Sequence, residues 1–443
     1  MKTRKDRIRK VFKLSPKITL CVEEVPSAYS TSVGLFCDVG SRHETAQYLG
    51  AAHVCEHMFF KRTSGKTAFD ISKISERLGG ELNAYTDREL TAFYGDSPTE
   101  QFSEMLGLIF EMLLDAQFSE DEFKGELDVV IQELLGFEDS PDDIFNELTV
   151  EVPWKKHPLS LRVGGTAKEV KPLTYSKIRS FIEKFYLQSN WVISVCSPLK
   201  TAEVKRQVLG ELKRASRYEN AWALSKVRKT PRPGGSAQLP KKLASRSAIH
   251  KYDTEQAQVC LTYPGMAITH PKEILHTGVA SMLGQGSSSW LYREMREERG
   301  LVYHVAASDL SFSDCGAFQM NWSCSPGNMM DAFEVAAGIV NRLRNGLDPD
   351  EVKFVRESIQ GATKMAFDGV HSRMEAMGRQ QLLMNRIYGL NETLVELEKI
   401  QHKPMEKMAR TLIAEPSFLL FGPVNKTDLT KAQKLWRKTL CLQ

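Results

Sequence analysis

Apolar and polar positions along this chain fall into a pattern that is written twice. "TSVGLFCDVGSRHE" (31–44) is apolar and β-branched enough for a strand and ends in a glycine turn. "AQVCLTYPGMAITHPKE" (257–273) reads the same way, a strand and a glycine leading into a helix start. Each is followed by a helical stretch, a strand-like segment and a long helical pattern. Two of those later helices resemble each other. "QFSEDEFKGELDVVIQEL" (117–134) and "GLDPDEVKFVRESIQGAT" (346–363) both open on acidic capping residues and then carry apolar residues at helical spacing. Between the copies lies "RKTPRPGGSAQLPKKLASRS" (228–247), rich in Pro, Gly, Ser and Lys and without apolar periodicity, which reads as a linker. The pattern predicts an α+β protein of two similar halves, 1–225 and 250–443, joined across 226–249.

Composition narrows this picture. At 443 residues the chain exceeds the size at which one core stops growing, in line with two domains. A hydrophobic fraction of 42% with 26% charged residues is that of an ordinary globular protein. A formal charge of +4 over this length argues against a protein built to bind nucleic acid. No run of 18 apolar residues appears, so no membrane span is expected. The eight cysteines are scattered without a C-x-x-C pair, which suits free thiols in a reducing compartment. The basic start "MKTRKDRIRK" lacks the apolar segment of a secretory signal, and Asp6 is unwelcome in a mitochondrial presequence. A bacterial cytoplasmic location is expected rather than the mitochondrial matrix.

The candidate chemistry sits in "AAHVCEHMFF" (51–60), within a helix expected over 46–62. His53 and His57, one turn apart, share a face and together can hold one Zn²⁺. Glu56 flanks that face, close enough to take a proton from an attacking water. Cys55 points to the other side. The bland alternative is two histidines near a glutamate on a partly buried helix. A third ligand separates the two readings. In "ELDVVIQEL", Glu126 and Glu133 are two helical turns apart and face the same way. Glu133 can supply an oxygen ligand and Glu126 can orient a histidine from behind; the alternative for both is a solvated acidic face. The second copy carries neither: the alignment puts Val355 opposite Glu126 and Ala362 opposite Glu133, and "HTGVASMLG" (276–284) stands opposite the histidines.

Read together, "DVGSRHE", "HVCEHMFFKRT", "LGGELNAYTDRELTAFYGD", "ELDVVIQEL" and "GSSSWLYREMREERGLVYHV" resemble the inverzincin family of zinc metallopeptidases, which includes pitrilysin, insulin-degrading enzyme and the mitochondrial processing peptidase. The resemblance covers nearly the whole chain. It implies His53, His57 and Glu133 as zinc ligands, Glu56 as general base and Glu126 as the supporting acid. It further implies Arg296 and Tyr303, in the second half, as donors to the oxyanion, although by spacing alone they are a solvated charge and a strand residue. The region 79–95 implies an edge strand for an extended peptide, with Asn83 and Ala84 nearest the scissile bond. The implied fold gives each half a mostly antiparallel sheet with helices on one face, forming half of a clamshell chamber. The implied activity is a zinc-dependent endopeptidase that cleaves unfolded or presequence-like peptides, as a homodimer or as a heterodimer with a sister chain. The competing expectation is a non-catalytic, peptide-binding or structural subunit of such a pair. One departure from the family is "SVCSPLK" (194–200), with Ser197 and Pro198 in place of a glycine turn.

Overall fold

The computed structural model describes residues 9–224 and 247–442. The expected linker 226–249 therefore lies outside the described residues up to 246, and its last residues enter a strand. In chain order the strands are β1 (Arg9–Lys13), β2 (Ile18–Glu24), β3 (Ser30–Cys37), β4 (Glu81–Thr86), β5 (Thr91–Pro98) and β6 (Trp191–Ser197). They continue with β7 (Ala248–Lys251), β8 (Ala257–Pro264), β9 (His304–Ser311), β10 (Gly316–Cys324) and β11 (Ser417–Gly422). The first five helices are α1 (Ala51–Phe59), α2 (Ala68–Arg77), α3 (Phe102–Leu114), α4 (Glu120–Asp139) and α5 (Pro141–Glu151).

The chain divides into two compact units, each discontinuous in sequence. Among the described residues, the first holds 9–137, 161–224 and 365–391, and the second holds 138–160, 247–364 and 392–442. The first sheet has the order β1-β2-β6-β3-β5-β4, antiparallel except for the β2–β6 pair. The second has the order β7-β11-β8-β10-β9, antiparallel except for β11–β7. Leaving out β1, the two sheets share one topology. The repeat read from the apolar pattern is thus an architectural repeat.

In the first unit, α1 and α3 pack on one sheet face through Val54, Met58, Phe59, Leu106 and Phe110, against Leu20, Val33, Leu35, Phe93 and Ile193. Strands β3 and β6 are buried along almost their whole length and read as near-continuous apolar runs, which fits cover on both faces. The second cover is the helix Val370–Met384, encoded far downstream. It lays Met374 and Met377 on Phe36, Ala92, Val192 and Cys196. Its approach is close because Gly378 has no side chain: a Cβ there would lie 2.1 Å from the Phe36 ring. Polar pairs fasten it. Ser194 donates to the Met374 carbonyl at 2.7 Å, Arg373 forms a buried ion pair with Glu23, Arg379 reaches Asp87 at 3.0 Å, and His371 reaches Asp96 at 2.9 Å.

The second unit repeats this arrangement with a segment from upstream. Helix α5 packs Phe145 and Leu148 on Cys260, Leu419 and Phe421. Gln319 donates to the Thr149 carbonyl at 2.8 Å, and Gln258 to Asp142 at 2.8 Å. The picture of helices on one sheet face therefore gains one addition in each unit, a single helix on the opposite face. A strand with apolar residues on both sides needs that cover. All eight cysteines are free thiols. No helix among the described residues is long and apolar enough to cross a membrane.

Candidate metal centre

Helix α1 is shorter than its composition predicts. Gly50, in the left-handed region at φ 77°, fixes its start, so the helix expected over 46–62 runs from Ala51 to Phe59. Its apolar residues Ala51, Ala52, Val54, Cys55, Met58 and Phe59 are buried, which turns His53, Glu56 and His57 to the opposite side. Across from them, α4 buries Phe123, Leu127, Val130 and Leu134, and Glu126 and Glu133 flank that stripe.

These side chains converge. The Nε2 atoms of His53 and His57 are 3.3 Å apart. The Glu133 carboxylate lies 3.8 Å from His53 Nε2 and 3.5 Å from His57 Nε2. Ligands held about 2.0–2.2 Å from a tetrahedral Zn²⁺ lie about 3.3–3.6 Å from one another. The two nitrogens have that spacing, Glu133 Oε1 approaches His53 and Oε2 approaches His57, and one atom from each of the three residues lies within 4.8 Å of the others. Two imidazole nitrogens with a carboxylate oxygen form a donor set that zinc takes. With both protons on Nδ1, the two Nε2 lone pairs face each other and can share one cation; with a proton on one Nε2, that ring donates to the other. Among the described residues there is no second group of three His, Cys, Asp or Glu side chains gathered in this way.

The surroundings set the protonation of each group. Burial, with help from neighbouring His57, pushes His53 down to about 4, which keeps it neutral and its lone pair free. Its Nδ1 is buried and has no hydrogen-bond partner among the described residues. Burial also works against the charged form of His57, but the hydrogen bond to Glu126 and the charges of Glu133, Glu126 and Glu56 outweigh it and raise the pKa. His57 Nδ1 lies 2.9 Å from Glu126 Oε1, so in the neutral ring the proton sits on Nδ1 and Nε2 faces the centre. Glu126 is 8% exposed; burial opposes its ionisation, yet hydrogen bonds from His57 and Lys61 hold its pKa below the usual range. Burial raises the Glu56 pKa, a shift that the Thr86 hydrogen bond and His57 only partly offset and Glu133 reinforces. A carboxylate with a raised pKa is better matched to taking and returning a proton near neutrality.

Two contributors were absent from the sequence reading. Lys61, one turn beyond His57, pairs with Glu126 Oε2. Thr86, the last residue of β4, donates to Glu56 Oε2 at 2.5 Å. The helical spacing from His57 to Lys61 was a usable signal for the first; for the second, nothing local links a strand end to a helix 30 residues earlier.

Asn83 and Ala84 lie on β4, which is the edge of its sheet. Ala84 packs toward the main core with Leu82. Asn83 donates to Glu81 at 3.1 Å, and its Oδ1 accepts the Ala84 N–H at 2.8 Å. In the second unit, Arg296 and Tyr303 come together: the guanidinium carbon lies 5.3 Å from the Tyr303 ring centre, and Tyr303 is 72% exposed.

Comparison with known proteins gives concordant matches. The family described as Insulinase (Peptidase family M16) matches residues 19–167, and the Peptidase M16 inactive domain matches residues 172–359. The chain is 30% identical over 406 residues to the uncharacterized zinc protease Rv2782c of Mycobacterium tuberculosis, covering 90% of this chain and 89% of the relative. It is 28% identical over 399 residues to the uncharacterized zinc protease YmxG of Bacillus subtilis, covering 90% and 94%. Among solved structures, a protease from Helicobacter pylori superposes with a TM-score of 0.83 at 19% identity, covering 94% of this chain and 100% of that one. A chain of complex III2 from Candida albicans gives a TM-score of 0.78 at 16% identity, covering 96% and 99%. At such identities the structural matches carry the fold alone.

Proposed function

The chain belongs to the insulinase family (peptidase family M16), and on that premise we propose that it is a zinc-dependent endopeptidase acting on unfolded peptides or presequence-like segments. The observation that carries the reading is the 3.3–3.8 Å spacing of the donors on His53, His57 and Glu133, with Glu56 on the same helix. His53, His57 and Glu133 would hold Zn²⁺, which would supply a Lewis acid to lower the pKa of a water and polarise a scissile carbonyl.

The chain's own residues do the rest. Glu56 accepts a proton from the attacking water and returns it to the leaving amine. Thr86 aims the Glu56 carboxylate, and Glu126, held ionised by Lys61, keeps His57 in the Nδ1–H tautomer. An extended peptide adds to the free edge of β4, where main-chain hydrogen bonds give affinity with little demand on sequence. Asn83 and Ala84 are the residues assigned to that contact, with Asn83 releasing the Ala84 N–H to the peptide. Arg296 and Tyr303 are assigned to the oxyanion, where a guanidinium and a phenol suit developing negative charge. The proposal includes a dimer, of two copies or with a sister chain, based on the resemblance to processing peptidases. A bacterial cytoplasm is the setting that the bacterial relatives and the free thiols support.

The test is cleavage of an internally quenched peptide together with zinc content, for the chain and for Glu56→Gln. Zinc in both with cleavage only by the unaltered chain is expected. Zinc in both with intact peptide in both would remove the enzyme reading for the chain on its own.

A further inference from the structure

The segment "DVGSRHE" drew notice in the sequence, yet none of its residues enters the centre just described. Glu44, its last residue, is 6% exposed and lies at the start of α1. A helix leaves its first N–H groups without intrahelical acceptors, and a side chain at the N-cap usually satisfies one. Helix α1 has no such side chain, because its N-cap is Gly50. Glu44 takes that place from outside the helix. Its Oε2 accepts the Gly50 N–H at 2.7 Å and its Oε1 accepts the Ala52 N–H at 2.8 Å.

The turn that carries Glu44 is itself anchored. The N–H groups of Ser41 and Arg42 donate to the carbonyls of Asp87 and Arg88 at 3.3 and 2.9 Å, in the turn that joins β4 to β5. Arg42 forms a buried ion pair with Glu89. The Gly40 N–H donates to His43 Nδ1 at 3.0 Å, and a Cβ at Gly40 would lie 2.4 Å from the Asp87 carbonyl oxygen. A short path therefore runs from the β4–β5 turn through residues 40–44 to the first turn of α1. Thr86, at the end of β4, closes the same loop from the other side by reaching Glu56. Ala52 immediately precedes His53, so whatever fixes the first turn also fixes where both histidines point. Burying this carboxyl is costly: burial pushes its pKa well up, against the two backbone hydrogen bonds. A carboxyl kept at such cost has a task that a small polar cap would not perform.

We propose that Glu44 is a positioning residue for the metal centre: by holding the first turn of α1 against the β4–β5 turn, it sets the direction of His53 and His57 toward Glu133. The inference rests on the zinc reading above. It assigns Glu44 no contact with metal, water or substrate.

The test is zinc affinity of the full chain, measured by competition with a chromophoric chelator, alongside urea unfolding of the zinc-free protein. Three variants are compared with the unaltered chain: Glu44→Gln, His57→Ala and Thr67→Ala. Gln keeps the shape of Glu but sets an NH₂ against one of the two N–H donors. Thr67 caps α2 and serves as a control for the loss of a helix cap elsewhere in the same unit. The expected result for Glu44→Gln is a loss in zinc affinity of about tenfold or more, with Thr67→Ala staying within about twofold of the unaltered chain even where it lowers the unfolding midpoint. Zinc affinity unchanged in Glu44→Gln but lost in His57→Ala overturns the role of Glu44 and leaves the metal centre standing. Zinc affinity unchanged in both overturns the centre and the proposal with it. Should Glu44→Gln fail to fold, hydrogen exchange on the unaltered zinc-free chain decides. Slow exchange at Gly50 and Ala52 is expected, and exchange as fast as at a fraying helix end overturns the proposal.

Discussion

Two helices in equivalent places of the repeat differ in what they present. Helix α4 offers Glu126 and Glu133, and both face the histidines of α1. The helix Pro349–Ala366 carries Val355 and Ala362 at the aligned positions, and Val355 is buried in the core of its own unit. The two sheets nevertheless share their strand order. Topology and chemistry are thus separable: the sheet order needs only the apolar stripes, which both copies keep, while the candidate metal centre needs a handful of polar residues that only one copy has. The polar residues also bring a cost that the apolar ones avoid. In the first unit, Lys61 and His57 must compensate Glu126, whereas Val355 fits its place without partners.

The sharpest way to break this comparison is to remove the chemistry and leave the fold. His57→Ala is expected to abolish stoichiometric zinc binding and cleavage together. Glu56→Gln should keep zinc and lose about 10²–10⁴ in cleavage rate; far-ultraviolet circular dichroism and metal analysis check that the fold and the metal remain. A smaller effect comes from carrying the chemistry across to the other copy. Val355→Glu puts a carboxyl without its own Lys61 or His57 into an apolar core, at a cost of about 1–3 kcal/mol, read as a lower urea midpoint. An unchanged midpoint would mean that the second copy tolerates the acid and that its loss has another cause.

The helix that covers the second face of the first sheet can be tested in the same spirit. Gly378→Ala adds a methyl where the Phe36 ring stands, and a loss of about 1–3 kcal/mol is expected on unfolding. The smallest effect belongs to His371. Its hydrogen bond to Asp96 raises its pKa in the folded chain, burial opposing and the charges of Asp96, Glu375 and Glu81 assisting. Because the folded value is raised, the stabilisation is complete below the unfolded value near 6.5 and disappears as pH rises through the folded value. The side chain is 42% exposed, so solvent screening keeps the contribution at about 0.5 kcal/mol or less. The difference in melting temperature between the chain and His371→Ala should therefore shrink between pH 6 and pH 9. A constant difference would mean that packing against the Tyr94 ring, 5.0 Å away, sets its worth instead.

Much of the centre was legible in the sequence because helical spacing is a local rule. The four-residue step from His53 to His57 and the seven-residue step from Glu126 to Glu133 predict shared faces, and the structure turns those faces toward one another. Helix ends were less legible. Tyr48 and Leu49 suit a helix by composition, but the positive φ of Gly50 decides where α1 starts. The helices Pro141–Glu151 and Val370–Met384 had no legible partner, since an amphipathic pattern tells that a face is buried and not which sheet buries it. Buried Arg373 shows the difficulty, because a charged residue in a helix reads as solvated until its Glu23 partner is known. Thr86 and Glu44 act through contacts made across the fold, which no periodicity encodes.

The crossing of those two helices between the units sets the order in which the protein can be completed as it is made. The first sheet and α1 to α4 are all synthesised before residue 200, yet one face of that sheet keeps Phe36, Ala92 and Val192 without cover until Met384 has left the ribosome. At about 5–20 residues per second, a newly made first unit spends tens of seconds at most with that apolar face open. During synthesis, the early part of the chain waits for the late part.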